Sequence, residues 1–141
     1  MVQWLQRMFR GKPTAADQVS TSTPSAPAPP FPPPAVTDSD FAHVVLASDR
    51  LVLVDCWAEW CAPCQTMSAY VAFLAEDFAG RVLVTALDVD ENPATTARYA
   101  IMGLPTLLAI YRGEEVGRQV GVEAYERLVA WLERVLTQIE E

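Results

Sequence analysis

Cys61 and Cys64 stand three apart in the segment Trp57-Ala58-Glu59-Trp60-Cys61-Ala62-Pro63-Cys64. An unbroken apolar run, Leu51-Val52-Leu53-Val54, comes directly before that segment, and helix-type sequence follows it. The run reads as a buried strand, so the two thiols fall where a strand gives way to a helix. A Cys-x-x-Cys pair at such a junction is the sequence mark of a redox dithiol. It requires a fold that brings a strand end, a tight turn and a helix N-terminus to one place.

Further elements follow from periodicity. Thr37-Asp38-Ser39-Asp40 offers N-cap candidates for a helix over Phe41–Leu46. Leu51–Trp57 is a strand whose continuous apolar character predicts burial on both faces. Met67, Tyr70, Val71, Leu74 and Phe78 have helical spacing, which predicts a helix over Pro63–Ala79 ending at Gly80. Arg81–Asp88 reads as a second buried strand. Asn92–Ala100 reads as a short helix with Pro93 in its first turn. Thr106–Tyr111 and Glu115–Val120 read as strands joined at Arg112-Gly113-Glu114, hence as an antiparallel hairpin. Glu123–Ile139 carries Leu128, Val129, Leu132, Val135, Leu136 and Ile139 on one stripe and closes the chain as an amphipathic helix. Strands alternating with helices predict an α/β fold with right-handed crossovers and a parallel core. The hairpin adds an antiparallel edge, and helices cover both faces.

Three regions follow one another: a basic segment over residues 1–12, a linker over 13–36 and a domain over 37–141. The linker is built of Pro, Ala, Ser and Thr and ends in Pro29-Pro30-Phe31-Pro32-Pro33-Pro34. Prolines remove backbone donors and favour extended geometry, so a semi-rigid, disordered spacer is expected; docking into an SH3-like groove is the alternative. In the first segment Val2, Trp4, Leu5, Met8 and Phe9 share one helical arc, opposite Gln3, Gln6, Arg7 and Arg10. That pattern suits a helix lying on an anionic membrane surface through residues 2–10. A protein partner and a plain disordered tail are the other readings.

Charge and cysteine count narrow the function. The chain has 141 residues, enough for one domain with a sizeable core. Beyond residue 37 it holds seven Arg, no Lys and 17 acids, a balance that argues against nucleic-acid binding. Three cysteines cannot all pair internally, which suits a reducing compartment. There is no apolar run long enough to span a bilayer and no secretory-type apolar core near Met1. A cytoplasmic location is expected.

From Thr37 onward the chain resembles the thioredoxin family. The resemblance rests on Val54-Asp55-Cys56-Trp57, the Cys61–Cys64 segment, Asp88-Val89-Asp90-Glu91-Asn92-Pro93, Gly103-Leu104-Pro105-Thr106, the Gly113 turn and Gly121. It implies a thioredoxin fold with a central mixed sheet. It also implies a protein-disulfide reductase that needs no cofactor beyond its own disulfide, acts on disulfide-containing clients and is recharged by a reductase. The chain departs from the family pattern at Ala62 (commonly Gly), Gln65 (commonly Lys), Ala69 (commonly Pro) and Ala86 (Lys in many members, beside the buried Asp).

At a helix N-terminus the free backbone N–H groups and the helix dipole favour a thiolate at Cys61. That thiolate attacks a client disulfide, and Cys64, one turn on, resolves the mixed disulfide. Asp55, an acid in an apolar strand, should have a raised pKa. The resemblance makes it the proton acceptor for Cys64. It also implies a cis peptide at Pro105 facing the dithiol, with the Leu104 backbone free to pair with an extended client. Trp60, Ala62, Pro63, Leu104 and Gly121 are the expected client-binding residues. Cys56 falls on the opposite strand face and reads as a small core residue. A zinc half-site would have to recruit Cys56 and His43, and an iron–sulfur run lacks its fourth cysteine. An oxidase or isomerase, and a non-catalytic binding or chaperone module, are the rival functions.

Overall fold

The computed structural model describes residues 32–141. The expected amphipathic segment at 1–12 and nearly all of the linker lie outside the described residues. The elements are a helical turn (Ala42–Leu46), β1 (Leu51–Trp57), α1 (Ala62–Asp77), β2 (Val82–Asp88), α2 (Pro93–Arg98), β3 (Thr106–Tyr111), β4 (Glu114–Val120) and α3 (Tyr125–Glu140).

The four strands form one sheet in the order β2-β1-β3-β4. β1 pairs parallel with β2. On its other side it pairs antiparallel with β3, which in turn pairs antiparallel with β4. The parallel core is therefore the β1–β2 pair alone. A helix separates β2 from β3 in the chain, yet β3 enters reversed on the far side of β1. The central position of β1 explains its apolar run: Leu51 through Cys56 are all buried.

The alternation of β1 splits its side chains between two cores. Leu51 and Leu53 pack with Met67, Val71 and Leu74 of α1 and Leu128 and Leu132 of α3. Val52, Val54 and Cys56 pack with Phe41, Val45, Leu108 and Ile110. Helical cover on both faces buries the central strands β1 and β3, while the edge strand β4 keeps Glu114, Glu115 and Val120 exposed.

Local departures from the sequence expectation have local causes. The first helix is wound as a π-turn, with the Ala47 N–H reaching back to the Ala42 carbonyl at 3.0 Å, and no side chain caps it. Asp38, one of the four expected cap candidates, caps α2 instead. Its carboxylate accepts from the N–H groups of Ala94 (3.1 Å) and Thr95 (2.8 Å), and its own N–H donates to Asn92 Oδ1 at 2.8 Å. Contact with the domain begins upstream of Thr37. Val36 is buried, the Val36 N–H donates to the Ala86 carbonyl at 2.8 Å, and the Ala86 N–H donates to that of Pro34 at 3.0 Å. β2 is an edge strand with unused backbone groups, and this short parallel bridge satisfies two of them.

Candidate active site

β1 ends at Trp57, and the turn that follows is closed by the Cys61 N–H donating to the Ala58 carbonyl at 3.1 Å. Cys61 becomes the N-cap of α1 in extended geometry (φ −90, ψ 104), and Pro63 occupies the first turn, where no backbone donor is needed. Cys61 Sγ accepts the Cys64 N–H at 3.3 Å, so the sulfur takes the place a capping oxygen holds in other helices. The two cysteines form a disulfide across a Cα–Cα distance of 5.3 Å. Both are nearly buried, at 5% and 2% exposure, while Ala62 and Pro63 beside them are exposed.

Asp55 lies beneath this turn. It shares a sheet face with Leu53, which packs against Met67, and Met67 stands one turn after Cys64 on α1. Its carboxyl is 1% exposed, and Oδ1 has no hydrogen-bond partner. Burial disfavours the charged form and pushes its pKa up to about 7. Cys56, next in the chain, points to the opposite core. Burial first, then the neighbouring Asp55 charge, push its thiol up to about 12, so it stays protonated and inert.

Opposite the disulfide stands the loop before β3. The Leu104–Pro105 peptide is cis, and Leu104 packs against Ala58, Cys61 and Cys64. The Thr106 hydroxyl donates to the Gly103 carbonyl at 2.6 Å, and the Gly121 N–H donates to the Pro105 carbonyl at 2.8 Å. Gly121 has φ 87, a left-handed value that β-carbon-bearing residues adopt at a cost. Trp60, Met102, Val120 and Val122 are the large apolar side chains left exposed among the described residues. A hollow of about 300 Å³ opens on the flank of Cys64, lined by Trp57, Ala58, Glu59, Gln65 and Ser68.

The structure thus gathers Cys61, Cys64, Asp55, Trp60, Ala62, Pro63, Leu104 and Pro105 at one end of the sheet, with Gly121 tied to the Pro105 backbone. His43 is exposed on the first helical turn. The sequence reading missed what holds Trp60. Its indole N–H donates to Asp90 Oδ2 at 2.8 Å, and the turn carrying Asp90 is shaped by Asp88 Oδ1, which accepts the Asp90 N–H at 2.9 Å. Both acids are in plain view in Asp88-Val89-Asp90, but only the fold shows that Asp90 reaches Trp60. Among the described residues no three His, Cys, Asp or Glu side chains cluster as a metal site. No described helix is long and apolar enough to cross a membrane.

A disulfide at a helix N-terminus, over a buried protonatable carboxyl and under a proline loop, defines a thiol–disulfide oxidoreductase. The sequence model of the thioredoxin family matches residues 33–134. Curated relatives agree. The thioredoxin of Rickettsia bellii is 37% identical over 97 residues, 69% of this chain and 92% of that protein. The thioredoxin of Haemophilus influenzae is 43% identical over 86 residues, 61% of this chain and 80% of that protein. The thioredoxin of Staphylococcus epidermidis is 42% identical over 101 residues, 72% of this chain and 95% of that protein. The chain belongs to the thioredoxin family. It is a dithiol–disulfide reductase that works through Cys61 and Cys64, and its redox group is that disulfide. Membership carries with it disulfide-containing substrate proteins and a reductase that restores the dithiol.

Proposed function

We propose that the site divides its labour as follows. In the reduced protein Cys61 is the attacking thiolate. Its sulfur bonds to one client sulfur, and the other client sulfur leaves with the electron pair and takes up a proton. Cys64 then gives its proton to Asp55 and attacks Cys61. The Cys61–Cys64 disulfide forms, and the second client sulfur leaves with the electron pair and takes up a proton from water. Two electrons pass from the dithiol to the client. The observation that carries this assignment is the position of Cys61 as the cap of α1. Its sulfur accepts a backbone N–H there, which stabilises a negative charge on that sulfur more than on Cys64. A carboxyl with a pKa near 7 is matched to take a proton close to neutral pH.

Clients dock around the disulfide. The exposed Trp60, Ala62 and Pro63 supply one side and the half-buried Leu104 and Gly121 the other, with the Leu104 backbone pairing with an extended client segment and the buried cis Pro105 facing the dithiol. The setting is the cytoplasm, where the protein serves electron transport and redox homeostasis. Its odd count of three cysteines and its acidic domain support that reading.

The division into segments 1–12, 13–36 and 37–141 belongs to the same proposal. Residues 2–10 fold as an amphipathic helix against an anionic lipid surface. Supporting this, Val2, Trp4, Leu5, Met8 and Phe9 share one helical arc opposite Gln3, Gln6, Arg7 and Arg10.

The deciding experiment is the equilibrium of the Cys61–Cys64 pair against glutathione buffers. A strongly reducing potential supports the reductase, and one near the oxidising end points to oxidase or isomerase work. For the N-terminal segment, co-sedimentation of the full chain with anionic vesicles at low salt is compared with that of a chain starting at Thr37. Equal, negligible binding rules the contact out.

A further inference from the structure

We propose that Arg118, on the strand farthest from β2, is a positioning residue that sets the docking loop between α2 and β3. The β3–β4 pairing carries a fault. Ala109 faces Gly117, but Ile110 faces Glu115, so Val116 is an extra residue in β4. In a regular strand, residues three apart point to opposite faces. The extra residue turns Glu115 and Arg118 onto the same face, that of their partners Ile110 and Leu108. There they form a two-pronged pair: Arg118 Nε donates to Glu115 Oε2 at 2.9 Å, and a terminal nitrogen donates to Oε1 at 2.8 Å. The pair is half-shielded from water, with side-chain exposures of 29% and 31%.

The same terminal nitrogen also donates to the backbone carbonyl of Tyr99 at 2.7 Å. Tyr99 is the C-cap of α2, where carbonyls lack partners within the helix and a cation suits the dipole. The chain departs from the helix at the next residue, Ala100, with φ 49, and reaches Leu104 and Pro105 a few residues later. The end of β4 and the residue after it hold this loop at two more points. A β-carbon on Gly103 would stand 3.2 Å from Val120 Cγ1, so the backbone passes close over that side chain. The Gly121 N–H holds the Pro105 carbonyl. Arg118 is thus the upstream anchor of a loop whose other anchors, Val120 and Gly121, lie at and just past the end of the same strand. Its charge is fixed, and Glu115 holds its guanidinium plane in place. The inference rests on the proposed docking role of Leu104 beside the cis Pro105 and extends that role to a residue that does not touch the client.

The test uses the full chain, with insulin as the protein disulfide and dithiothreitol as the electron source. A second readout is the rate at which the pre-reduced protein reacts with a small aromatic disulfide. Arg118→Met keeps much of the apolar stem but removes all the donors. It should raise KM for insulin roughly fivefold with kcat changed less than about twofold, because the loop is misplaced rather than the thiols. The loss on insulin should exceed the loss on the small disulfide. Arg118→Lys keeps one charged donor without the fork and should recover part of the KM. Should Arg118→Met fold poorly, Arg118→Lys and Glu115→Gln carry the test, both with raised KM and near-normal kcat. An unchanged KM in these variants, a fall in kcat alone, or equal losses on both disulfides overturns the positioning role. A wild type that reduces neither disulfide overturns the reading of the site and this inference with it.

Discussion

Asp55 stands directly across the parallel pairing of β1 and β2 from Ala86, a residue with no polar side-chain atom to offer its carboxyl. The same register places Leu107 on the other side of Asp55. The carboxyl is therefore walled by apolar neighbours within the sheet, and Oδ1 is left without a partner. Burial alone accounts for the rise of its pKa from 3.8 to about 7.

That rise has a definite consequence for stability. The native state holds the Asp55 proton more tightly than the unfolded chain, so the group is most favourable to folding below about pH 4. Its contribution falls as pH rises from about 4 to 7 and is fully lost above that. A shift of this size corresponds to roughly 2–4 kcal/mol. Asp55→Asn should therefore be more stable than wild type at pH 8 by about that amount, with the difference shrinking toward pH 4.5. Urea unfolding of both proteins at three pH values measures it. In the reduced protein the same variant should slow disulfide reduction near neutral pH.

Ala86→Lys restores a cation on the sheet face of Asp55. A positive charge nearby favours the carboxylate. The apparent pKa of Asp55, followed by NMR or by the pH profile of client reduction, should drop below 7. The stability lost between pH 4 and 7 should shrink with it. An unmoved pKa would show that the ammonium escapes to solvent from this half-buried position.

Cys64→Ser keeps the attacking sulfur and removes the resolving one, so mixed disulfides with clients should accumulate on Cys61. Cys61→Ser should trap nothing and reduce nothing. Non-reducing gels of protein recovered from cells separate these outcomes, and trapping by Cys61→Ser alone reverses the assignment. Cys56→Ala should leave turnover unchanged, because Cys56 faces the opposite core.

Asp38→Ala removes the carboxylate that caps α2 from the incoming chain. The melting temperature should fall by a few degrees at neutral pH. The hydrogen bond from Thr95 is the main cause holding the Asp38 pKa below its ordinary value. Its contribution is present above that ordinary value and is lost as pH falls through the native one. Wild type and variant should thus converge in acid, which thermal unfolding at pH 3 and pH 7 checks.

Much of the domain is legible in the linear chain. The β1 run, the helical spacing of Met67, Val71 and Leu74, the stripe of α3 and the Gly113 turn are patterns within contiguous residues. The physics that produces them is local, and the element boundaries differ from the expected ones by only a residue or two. The Cys61–Cys64 junction is local as well, which is why the chemistry can be read from one segment. Pairings across tens of residues are not legible in this way. Asp38 is one of four cap candidates for the helix that follows it, yet the approach of α2 gives its carboxylate two better-placed donors.

The linear chain by itself determined the dithiol, the acid in the strand and the alternation of elements, because each depends on neighbours along the backbone. The tertiary structure decided the rest. It put Ala86 and Leu107 beside Asp55, reversed β3 against β1, brought Asp90 to Trp60 and, through one extra residue in β4, turned Arg118 toward Tyr99. Those choices follow from strand order and register. Both emerge only when the whole apolar surface is buried at once, so no short window of sequence contains them.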